Sequence, residues 1–296
     1  MYRVDNAIIM AAGTSSRFAP LSHEKPKAFI EVRGEIMIER QIRQLQEAGI
    51  PEIIVVTGYK AEMFDYLKDK FGVKLVHNHE YLSRNNHASI HAARAYLKNT
   101  YICSADNYFL KNPFESYVSN SYYAALYADG PTKEWCMHDD ETGRIREVHV
   151  GGENAWYMLG HAFWNEYFSA RMRALIEAEY DLPQTKGMFW EDIYIRHIDE
   201  LEMMIRKYSN EEIFEFDTLD ELRAFDSSYI ADTRSSILKE IAEYLHCKEE
   251  EISAAVPMKD QSGEVYGFQF ECLNQRYQYE YANGMLRKVK EHERNH

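Results

Sequence analysis

The alternation of short apolar runs with helical patterns over the first hundred residues most constrains the fold. Apolar runs at 7–12, 52–58, 73–78 and 100–106 predict strands, and the intervening segments 35–49, 60–72 and 87–97 predict helices. The first two helices end at a glycine, which is a usual C-cap. Near-continuous apolar strands in strand–helix alternation predict an α/β fold with a mixed, mostly parallel sheet and helices on both faces.

The pattern changes after the first half of the chain. Residues 122–164 hold four strand-like segments separated by short turns, which predict an antiparallel or mixed meander beside the parallel strands. Helices are predicted at 165–179 and 189–202, followed by a short strand that breaks into a helix at 213–225. We expect one main domain over 1–230 and a small α+β appendage of a helix and a hairpin over 231–296.

Composition excludes several classes of protein. Lys and Arg total 34 against 48 Asp and Glu, a net charge of −14, which argues against nucleic acid as a partner. No run approaches the roughly 18 apolar residues of a membrane span, and the N-terminus lacks the apolar core of a signal peptide. The 4 cysteines have no CxxC spacing, which indicates reduced thiols. These features predict a cytoplasmic protein that does not insert into membranes.

A long basic loop, AAGTSSRFAPLSHEKPKAF at 11–29, follows the first strand directly. Glycine at 13 permits a positive φ and close approach of a ligand, and the N–H groups of Thr14, Ser15 and Ser16 suit a phosphate cradle. Arg17 can hold phosphate oxygens bidentately, and Lys27 adds a point charge. The loop is neither a Walker A loop nor a GxGxxG fingerprint. The pattern predicts phosphate binding, with a merely solvated loop as the alternative.

The loop at 11–29, called the signature loop below, resembles the signature loop of the nucleotidyltransferases. These enzymes join an NTP to a phosphorylated small molecule. The bacterial CTP:phosphocholine cytidylyltransferases are the closer resemblance, over about residues 5–228. The segments that carry it are VTGYKAEMFDYL, RNNHASI, SADNYFLKNPF, KEW, GHAFW, MFWED and FEFDT. The resemblance implies a Rossmann-like, GT-A-like nucleotidyltransferase domain. Family members commonly carry Gly where this chain has Ser15, a departure that costs little if the φ of Ser15 is negative.

The resemblance implies Mg²⁺-dependent transfer of a cytidylyl group from CTP to phosphocholine, which gives CDP-choline and pyrophosphate. Asp106, after a parallel strand, and Asp217, after a short strand, would hold Mg²⁺, which prefers one or two carboxylates with phosphates and water. Arg17 would hold the β- and γ-phosphates, and Lys27 would neutralise charge at the breaking bond. Structural alternatives are an Asx-turn for Asp106 and a helix N-cap for Asp217.

The resemblance also implies residues for the base and the acceptor. Cytosine and ribose contacts fall on the backbone of Ala11, Ala12 and Gly13, and on Asn85, Asn86 and Ser89. The alternative for 84–86 is a polar loop that caps the next helix. Since aromatic faces and carboxylates hold a quaternary ammonium, acceptor contacts are expected from Trp135, Trp190, Glu191 and Asp192, whereas Trp156 and Trp164 are expected to pack in the core.

Several alternatives stay open at the level of sequence. The acceptor could be another phospho- or phosphonate-amine or a sugar 1-phosphate, and a non-catalytic nucleotide-sensing module would bind CTP without turnover. A glycosyltransferase is less favoured, because the chain has SAD at 104–106 where a DxD would be usual. The tail weakly resembles the start of the small lobe of a choline kinase and is expected to be non-catalytic, docking on the main domain or on a partner chain. Homo-oligomerisation is also open.

Overall fold

The computed structural model describes residues 1–289. Its strands are, in chain order, β1 (Tyr2–Arg3), β2 (Asn6–Ala11), β3 (Glu31–Val32), β4 (Glu35–Ile36), β5 (Ile53–Thr57), β6 (Lys74–His77), β7 (Thr100–Ser104), β8 (Asn107–Phe109), β9 (Tyr117–Val118), β10 (Tyr122–Asp139), β11 (Ile145–Trp164), β12 (Met204–Lys207), β13 (Ile213–Glu215), β14 (Ile252–Lys259), β15 (Val265–Cys272), β16 (Gln275–Glu280) and β17 (Met285–Lys288). Its α-helices are α1 (Leu21–Glu24), α2 (Met37–Glu47), α3 (Tyr66–Phe71), α4 (His87–Ala93), α5 (Glu166–Glu179), α6 (Trp190–Arg196), α7 (Leu219–Phe225), α8 (Ser228–Ala231) and α9 (Ser236–Leu245).

The described residues form two compact units. The first unit combines Met1–Gly13 with Met37–Glu215, and the second combines Thr14–Ile36 with the described chain from Phe216 onward. Most of the signature loop therefore belongs to the same unit as the C-terminal region. The domain boundary expected near residue 230 stays a prediction.

The first unit is built on a seven-stranded sheet. Its strand order is β12-β10-β11-β7-β2-β5-β6. Neighbours pair in parallel at β10–β12, β7–β2, β2–β5 and β5–β6, and in antiparallel fashion at β10–β11 and β11–β7. Four of the six pairings are parallel, which confirms the mixed, mostly parallel sheet that the alternating pattern predicts.

The inner strands β2 and β7 of this sheet are buried on both faces. One hydrophobic cluster joins Ile8 of β2 and Ile102 of β7 to residues of α4, α5 and α6. The neighbouring residues Ala7 and Ile9 are also 0 % exposed but lie outside that cluster. Since successive side chains of a strand point to opposite faces, the opposite face of β2 is covered as well. Burial on both faces explains why these strands read as continuous apolar runs.

The meander between 122 and 164 differs from the prediction in its number of strands. The four expected segments join into two long strands, β10 and β11, which pair in antiparallel fashion with several shifts of register. Glycines with positive φ, Gly130 in β10 and Gly151 in β11, allow the strands to bend without ending. The helix expected at 189–202 is shorter, because hydrogen-bonded turns follow α6 and run to Leu201.

The second unit holds the C-terminal region. The expected hairpin is present as the antiparallel pair β15–β16, and the expected helix is α9. Two further strands, β14 and β17, extend the hairpin into a four-stranded antiparallel sheet of order β14-β15-β16-β17. The sequence EEEISAAVPMKD carries no clear strand pattern, and only Ile252 and Met258 are buried in β14.

Two further expectations concern the thiols and the membrane. All four cysteines, Cys103, Cys136, Cys247 and Cys272, are free thiols. Over residues 1–289, every helix is too short or too polar to cross a bilayer.

Candidate active site

The start of the signature loop lies at the carboxyl end of the central strand β2. Ala11 and Ala12 are buried, and the carbonyl oxygen of Ala12 accepts a hydrogen bond from the N–H of Tyr59 at 3.0 Å. Gly58 explains this close approach, because a Cβ there would lie 2.8 Å from the carbonyl oxygen of Ala12. Sequence reasoning missed Gly58, although a glycine directly after the apolar strand β5 is a signal for close backbone contact.

The positive backbone angle of the loop falls on Ser15 and not on Gly13. Ser15 has φ 49° and ψ 44°, in the left-handed region, whereas Gly13 is absent from the residues with positive φ. The condition under which the serine would cost little is therefore not met, since a Cβ in this region costs roughly 1–2 kcal/mol. The conformation ends in a short turn, in which the N–H of Phe18 donates to the carbonyl oxygen of Ser15 at 2.9 Å.

Three predicted residues of the second unit meet at one point. The Arg17 guanidinium contacts the Asp217 carboxylate at 2.6 Å, and the Lys27 ammonium contacts its other oxygen at 3.4 Å. The side chain of Arg17 is 72 % exposed, whereas Lys27 is 4 % exposed. An exposed guanidinium and a buried ammonium thus converge on a single carboxylate, and the same two cations suit phosphate oxygens.

Asp217 is not the helix N-cap that the structural alternative proposed. The N-cap of α7 is Thr218, whose hydroxyl accepts from the N–H of Glu221, while Glu221 reaches back to the N–H of Thr218. This capping box leaves the Asp217 carboxylate directed at Arg17 and Lys27.

Asp106 follows β7 in the first unit, two residues past the last residue of the strand. The Ser104 hydroxyl donates to its carboxylate at 2.5 Å, and the N–H of Ala105 donates to the carbonyl oxygen of Met10 at 3.1 Å. Asp106 is partly exposed. Within residues 1–289 no three His, Cys, Asp or Glu side chains gather as a complete metal cage. A hard carboxylate at a strand end fits Mg²⁺, which takes few protein ligands and completes its shell with phosphates and water.

The predicted base-binding residues Asn85 and Asn86 join two loops. The Asn85 amide donates to the carbonyl oxygen of Gly187 at 3.1 Å. The Asn86 side chain accepts from the N–H of Trp190 at 2.7 Å and donates to the Glu191 carboxylate at 3.1 Å. The Asn86 side chain therefore caps the start of α6. The alternative reading, in which the loop at 84–86 caps the next helix, α4, is not met by this side chain, since Asn86 makes no side-chain cap there. Sequence spacing cannot reveal a partner a hundred residues away.

Ser89 is also predicted to bind the base. It lies inside α4, is 4 % exposed, and its hydroxyl accepts from the Asn78 amide at 3.2 Å. Asn78 in turn accepts from the N–H of Glu80. The pair fixes the segment after β6 to α4, and the role of Ser89 toward a base stays a prediction.

The two tryptophans predicted at the acceptor differ in exposure. Trp190 is 1 % exposed and packs between Tyr123, stacked at 5.5 Å, and Trp164, edge-on at 4.9 Å. Trp135 on β10 is partly exposed, with its ring edge-on to that of Phe189 at 5.7 Å. Phe189 is itself 42 % exposed. The rings of Trp135 and Phe189 are therefore partly open to solvent, whereas Trp190 is enclosed in the core.

Glu191 is buried with few compensating charges. The Tyr123 hydroxyl donates to one carboxylate oxygen at 2.9 Å, and the Asn86 amide donates to the other. Burial raises the pKa of Glu191 to about 7. Asp192 has a structural role, since its carboxylate accepts from the N–H of Phe189 at 2.7 Å at the start of α6.

The two tryptophans expected to pack in the core are Trp156 and Trp164. Trp164 is 0 % exposed and belongs to the main hydrophobic cluster, as expected. Trp156 packs edge-on against Tyr127 and lies 5.3 Å below the Lys207 ammonium.

Comparison with known proteins agrees with this arrangement. The family model of the MobA-like NTP transferase domain matches residues 7–177, more than half of the chain. The chain belongs to this family. It is a nucleotidyltransferase.

Two curated relatives are similar over almost their whole length. The chain is 32 % identical to a choline-phosphate cytidylyltransferase of Streptococcus pneumoniae, over 74 % of this chain and 96 % of the relative. It is 37 % identical to a 2-aminoethylphosphonate cytidylyltransferase of Lancefieldella rimae, over 78 % of this chain and 95 % of the relative. Each of these two matches leaves about a quarter of this nucleotidyltransferase uncovered.

A solved structure supports the fold. The CTP:phosphocholine cytidylyltransferase of Streptococcus pneumoniae superposes with a TM-score of 0.73 at 32 % identity, over 77 % of this chain and 99 % of that protein. The structure of an inositol-1-phosphate CTP transferase of T. maritima, at 16 % identity and a TM-score of 0.58, shares the fold alone.

Proposed function

We propose that this nucleotidyltransferase transfers a cytidylyl group from CTP to phosphocholine, giving CDP-choline and pyrophosphate. The observation that carries the proposal is the convergence of Arg17 and Lys27, two residues of the signature loop, on the Asp217 carboxylate. The names of the relatives support cytosine as the base and a small cationic phosphate compound as the acceptor.

The chemistry is an in-line displacement. An acceptor phosphate oxygen attacks the α-phosphorus of CTP, the bond from this phosphorus to the bridging oxygen breaks, and pyrophosphate leaves with that electron pair. Catalysis of this kind consists mainly of positioning and charge neutralisation. Buried Lys27 neutralises charge near the breaking bond. When nucleotide binds, exposed Arg17 exchanges its ion pair with Asp217 for contacts to the β- and γ-phosphates, which form the leaving pyrophosphate. The carboxylates of Asp106 and Asp217 would hold Mg²⁺, which would supply further neutralisation of phosphate charge.

The acceptor proposal rests on residues of the first unit. Trp135 and Phe189 present aromatic surface to a quaternary ammonium, which binds ring faces because it has no hydrogen-bond donor. Glu191 is a carboxylate whose ionised form is disfavoured by burial, and an arriving cation stabilises that form. Trp190 lies in the core, stacked on Tyr123. Asp192 orients Phe189 through its backbone.

A second candidate acceptor is 2-aminoethylphosphonate. The relative named for that substrate has the higher identity of the two described above, 37 % against 32 %. The enclosure of Trp190 also leaves fewer accessible aromatic faces than a complete cage requires. A primary ammonium needs hydrogen-bond acceptors more than ring faces, so the balance between Glu191 and Trp135 decides between the two compounds.

The test is a matrix of nucleotides and acceptors. Purified full-length protein with Mg²⁺ is incubated with CTP, UTP, ATP or GTP and with phosphocholine, phosphoethanolamine, 2-aminoethylphosphonate or glucose 1-phosphate, and pyrophosphate release is measured. We expect CTP with phosphocholine to give the highest kcat/KM. A higher kcat/KM with 2-aminoethylphosphonate would make that compound, and not phosphocholine, the acceptor. Turnover only with a nucleotide other than CTP would overturn the proposal.

Two matched variants separate acceptor binding from nucleotide binding. Trp135→Leu removes the exposed ring and should raise the KM for phosphocholine without changing the KM for CTP. Trp156→Leu changes the same residue type on β11 and should leave both KM values unchanged. Equal effects of the two substitutions would remove Trp135 from the acceptor site.

The cytoplasm is the compartment that we propose for this reaction. The four free thiols support it, because reduced cysteines persist in reducing compartments. Homo-oligomerisation stays a prediction.

A further inference from the structure

The C-terminal region contacts the signature loop at three separate places within the second unit. Strand β14 packs against the short turn Ser16–Phe18, which carries Arg17. The ring of His23 stacks on that of Tyr281, with centroids 3.6 Å apart and planes at 2°. Glu24 contacts the first turn of α9. These contacts join residues more than two hundred positions apart.

Glu24 completes the N-terminus of α9. One of its carboxylate oxygens accepts from the hydroxyls of Ser235 and Ser236, at 2.9 and 3.1 Å, and from the N–H of Ile237 at 2.9 Å. The hydroxyl of Ser235 itself accepts from the N–H of Leu238 at 3.1 Å. The first N–H groups of a helix have no partner within the helix, and the signature loop supplies a second acceptor for them beside the N-cap hydroxyl of Ser235.

The stack of His23 on Tyr281 has support of its own. Tyr281 packs against Phe268 at 6.0 Å and edge-on against Tyr279 at 6.2 Å, so its ring is held by two neighbouring strands of the sheet. The loop residue therefore rests on a rigid aromatic surface.

We propose that the C-terminal region, from Ser235 to Lys288, clamps residues 16–27 in their phosphate-binding shape, with Glu24 as the positioning residue. Each of the two relatives is matched over nearly its whole length by about three quarters of this chain. The nucleotide part of this inference rests on the proposed function. Because coupling is reciprocal, nucleotide bound at Arg17 and Lys27 also strengthens docking of the C-terminal region.

Three variants of the full-length protein test the clamp. Glu24→Ala removes the cap. Glu24→Gln keeps a carbonyl oxygen that can accept the same three donors. Glu243→Ala is the matched control, because Glu243 is an exposed residue of α9 itself.

The first measurement is local hydrogen–deuterium exchange and does not depend on activity. In Glu24→Ala we expect faster exchange over residues 14–27 and unchanged exchange over β2, β5 and β7. Glu24→Gln and Glu243→Ala should match wild type. Unchanged exchange over 14–27 in Glu24→Ala, or equal effects of the Ala and Gln changes, would overturn the clamp. If Glu24→Ala does not fold, Tyr281→Leu is measured by the same criteria.

The second measurement is calorimetric binding of CTP with Mg²⁺. Glu24→Ala should bind CTP about fivefold more weakly, since a lost helix cap corresponds to about a factor of five in an equilibrium. The two other variants should stay within about twofold of wild type. Absence of CTP binding in every variant, with the exchange pattern as expected, would count against the proposed function and leave the clamp standing. Equal affinities in Glu24→Ala and wild type would overturn the coupling.

An independent observation concerns two cysteines of the same unit. Cys247 directly follows α9 and its turn, and Cys272 is the last residue of β15. Their sulfurs are 3.3 Å apart. Cys272 is buried, whereas Cys247 is partly exposed. Burial raises the pKa of the Cys272 thiol to about 12, so Cys247 is the sulfur that reacts first with an oxidant in water.

We infer that Cys247 and Cys272 form an oxidation site. Cys247 thiolate attacks hydrogen peroxide, the O–O bond breaks, and sulfenic acid and water form after proton uptake. The sulfur of Cys272 then attacks the sulfenic sulfur, its proton and the hydroxyl leave as water, and a disulfide remains. The sulfurs need to approach by only about 1.3 Å to reach disulfide distance.

Mass spectrometry of the full-length protein tests this site. After mild peroxide treatment we expect a mass lower by two hydrogen atoms and a linked peptide pair that contains Cys247 and Cys272. Cys272→Ser should lose the link, whereas Cys103→Ser should keep it. Absence of the link in wild type, or a link that uses Cys103 or Cys136, would overturn the site.

Discussion

Glu191 should make the stability of this protein depend on pH in an unusual direction. Its pKa is raised from an ordinary 4.5 to about 7, chiefly because burial disfavours the ionised form. Below about pH 4.5 the carboxyl is neutral in both the folded and the unfolded chain. Between about pH 4.5 and pH 7 the unfolded chain ionises first, so the free energy of unfolding falls as the pH rises. Above pH 7 the whole contribution is lost.

The size of the effect follows from the two pKa values. One pKa unit corresponds to about 1.4 kcal/mol, so a rise from 4.5 to about 7 corresponds to about 3 kcal/mol. Glu191→Gln removes the ionisation and keeps the oxygen that accepts from Tyr123. It loses the oxygen that accepts from the Asn86 amide, at a cost of about 1–2 kcal/mol.

Glu191→Gln should therefore be the less stable protein at low pH and the more stable one at high pH. We expect it to lose about 1 kcal/mol at pH 5 and to gain about 1–2 kcal/mol at pH 9 relative to wild type. Urea unfolding followed by tryptophan fluorescence at five pH values measures both free energies. Glu243→Gln, at an exposed position of α9, is the control and should differ from wild type by a constant. A pH-independent difference for Glu191→Gln would refute the reasoning.

Five further single substitutions give testable outcomes. Ser15→Gly should raise the free energy of unfolding by about 0.5–1 kcal/mol, seen as a higher Tm, because it relieves a Cβ at positive φ. Asp106→Ala should abolish pyrophosphate release with an unchanged circular dichroism spectrum, and a near-wild-type rate would remove Asp106 from the mechanism. Lys27→Met should lower kcat with little change in the KM for CTP, whereas a large KM change alone would make Lys27 a binding residue. Trp190→Leu should lower the free energy of unfolding by about 3 kcal/mol, measured by urea unfolding. Trp135→Leu should weaken phosphocholine binding by about 1–2 kcal/mol, measured by calorimetric titration, with little loss of stability.

The signature loop shows how local sequence predicts part of a site. Arg17, Lys27 and Asp217 are predicted from the sequence, and the structure gathers all three. The loop also contains a serine where a glycine is usual, but its φ depends on the turn that Phe18 closes behind it. The residue type determines which backbone angles are low in energy. The surrounding structure determines which of these angles, or which strained angle, the residue adopts.

The acceptor residues show the opposite case. Tryptophan content and family likeness select Trp135 and Trp190 equally, and only the packing of α6 on β10 and β11 separates an exposed ring from an enclosed one. Asn86 is a similar case, because its partners on α6 lie far along the chain. Periodicity reveals that a face is apolar, and it carries no information about which distant element covers that face.

The sequence by itself determined the strand–helix order and the mostly parallel sheet, and it predicts phosphate binding by the opening loop. These features depend on local patterns: strand residues buried on both faces must be apolar, glycines end helices, and phosphate needs donors and cations close together. Only the tertiary structure decided that residues 14–36 belong with the C-terminal region, with Glu24 capping α9 and His23 stacked on Tyr281. Each of these segments, taken alone, could pack against many other segments. Packing of the whole chain selects which of them come into contact.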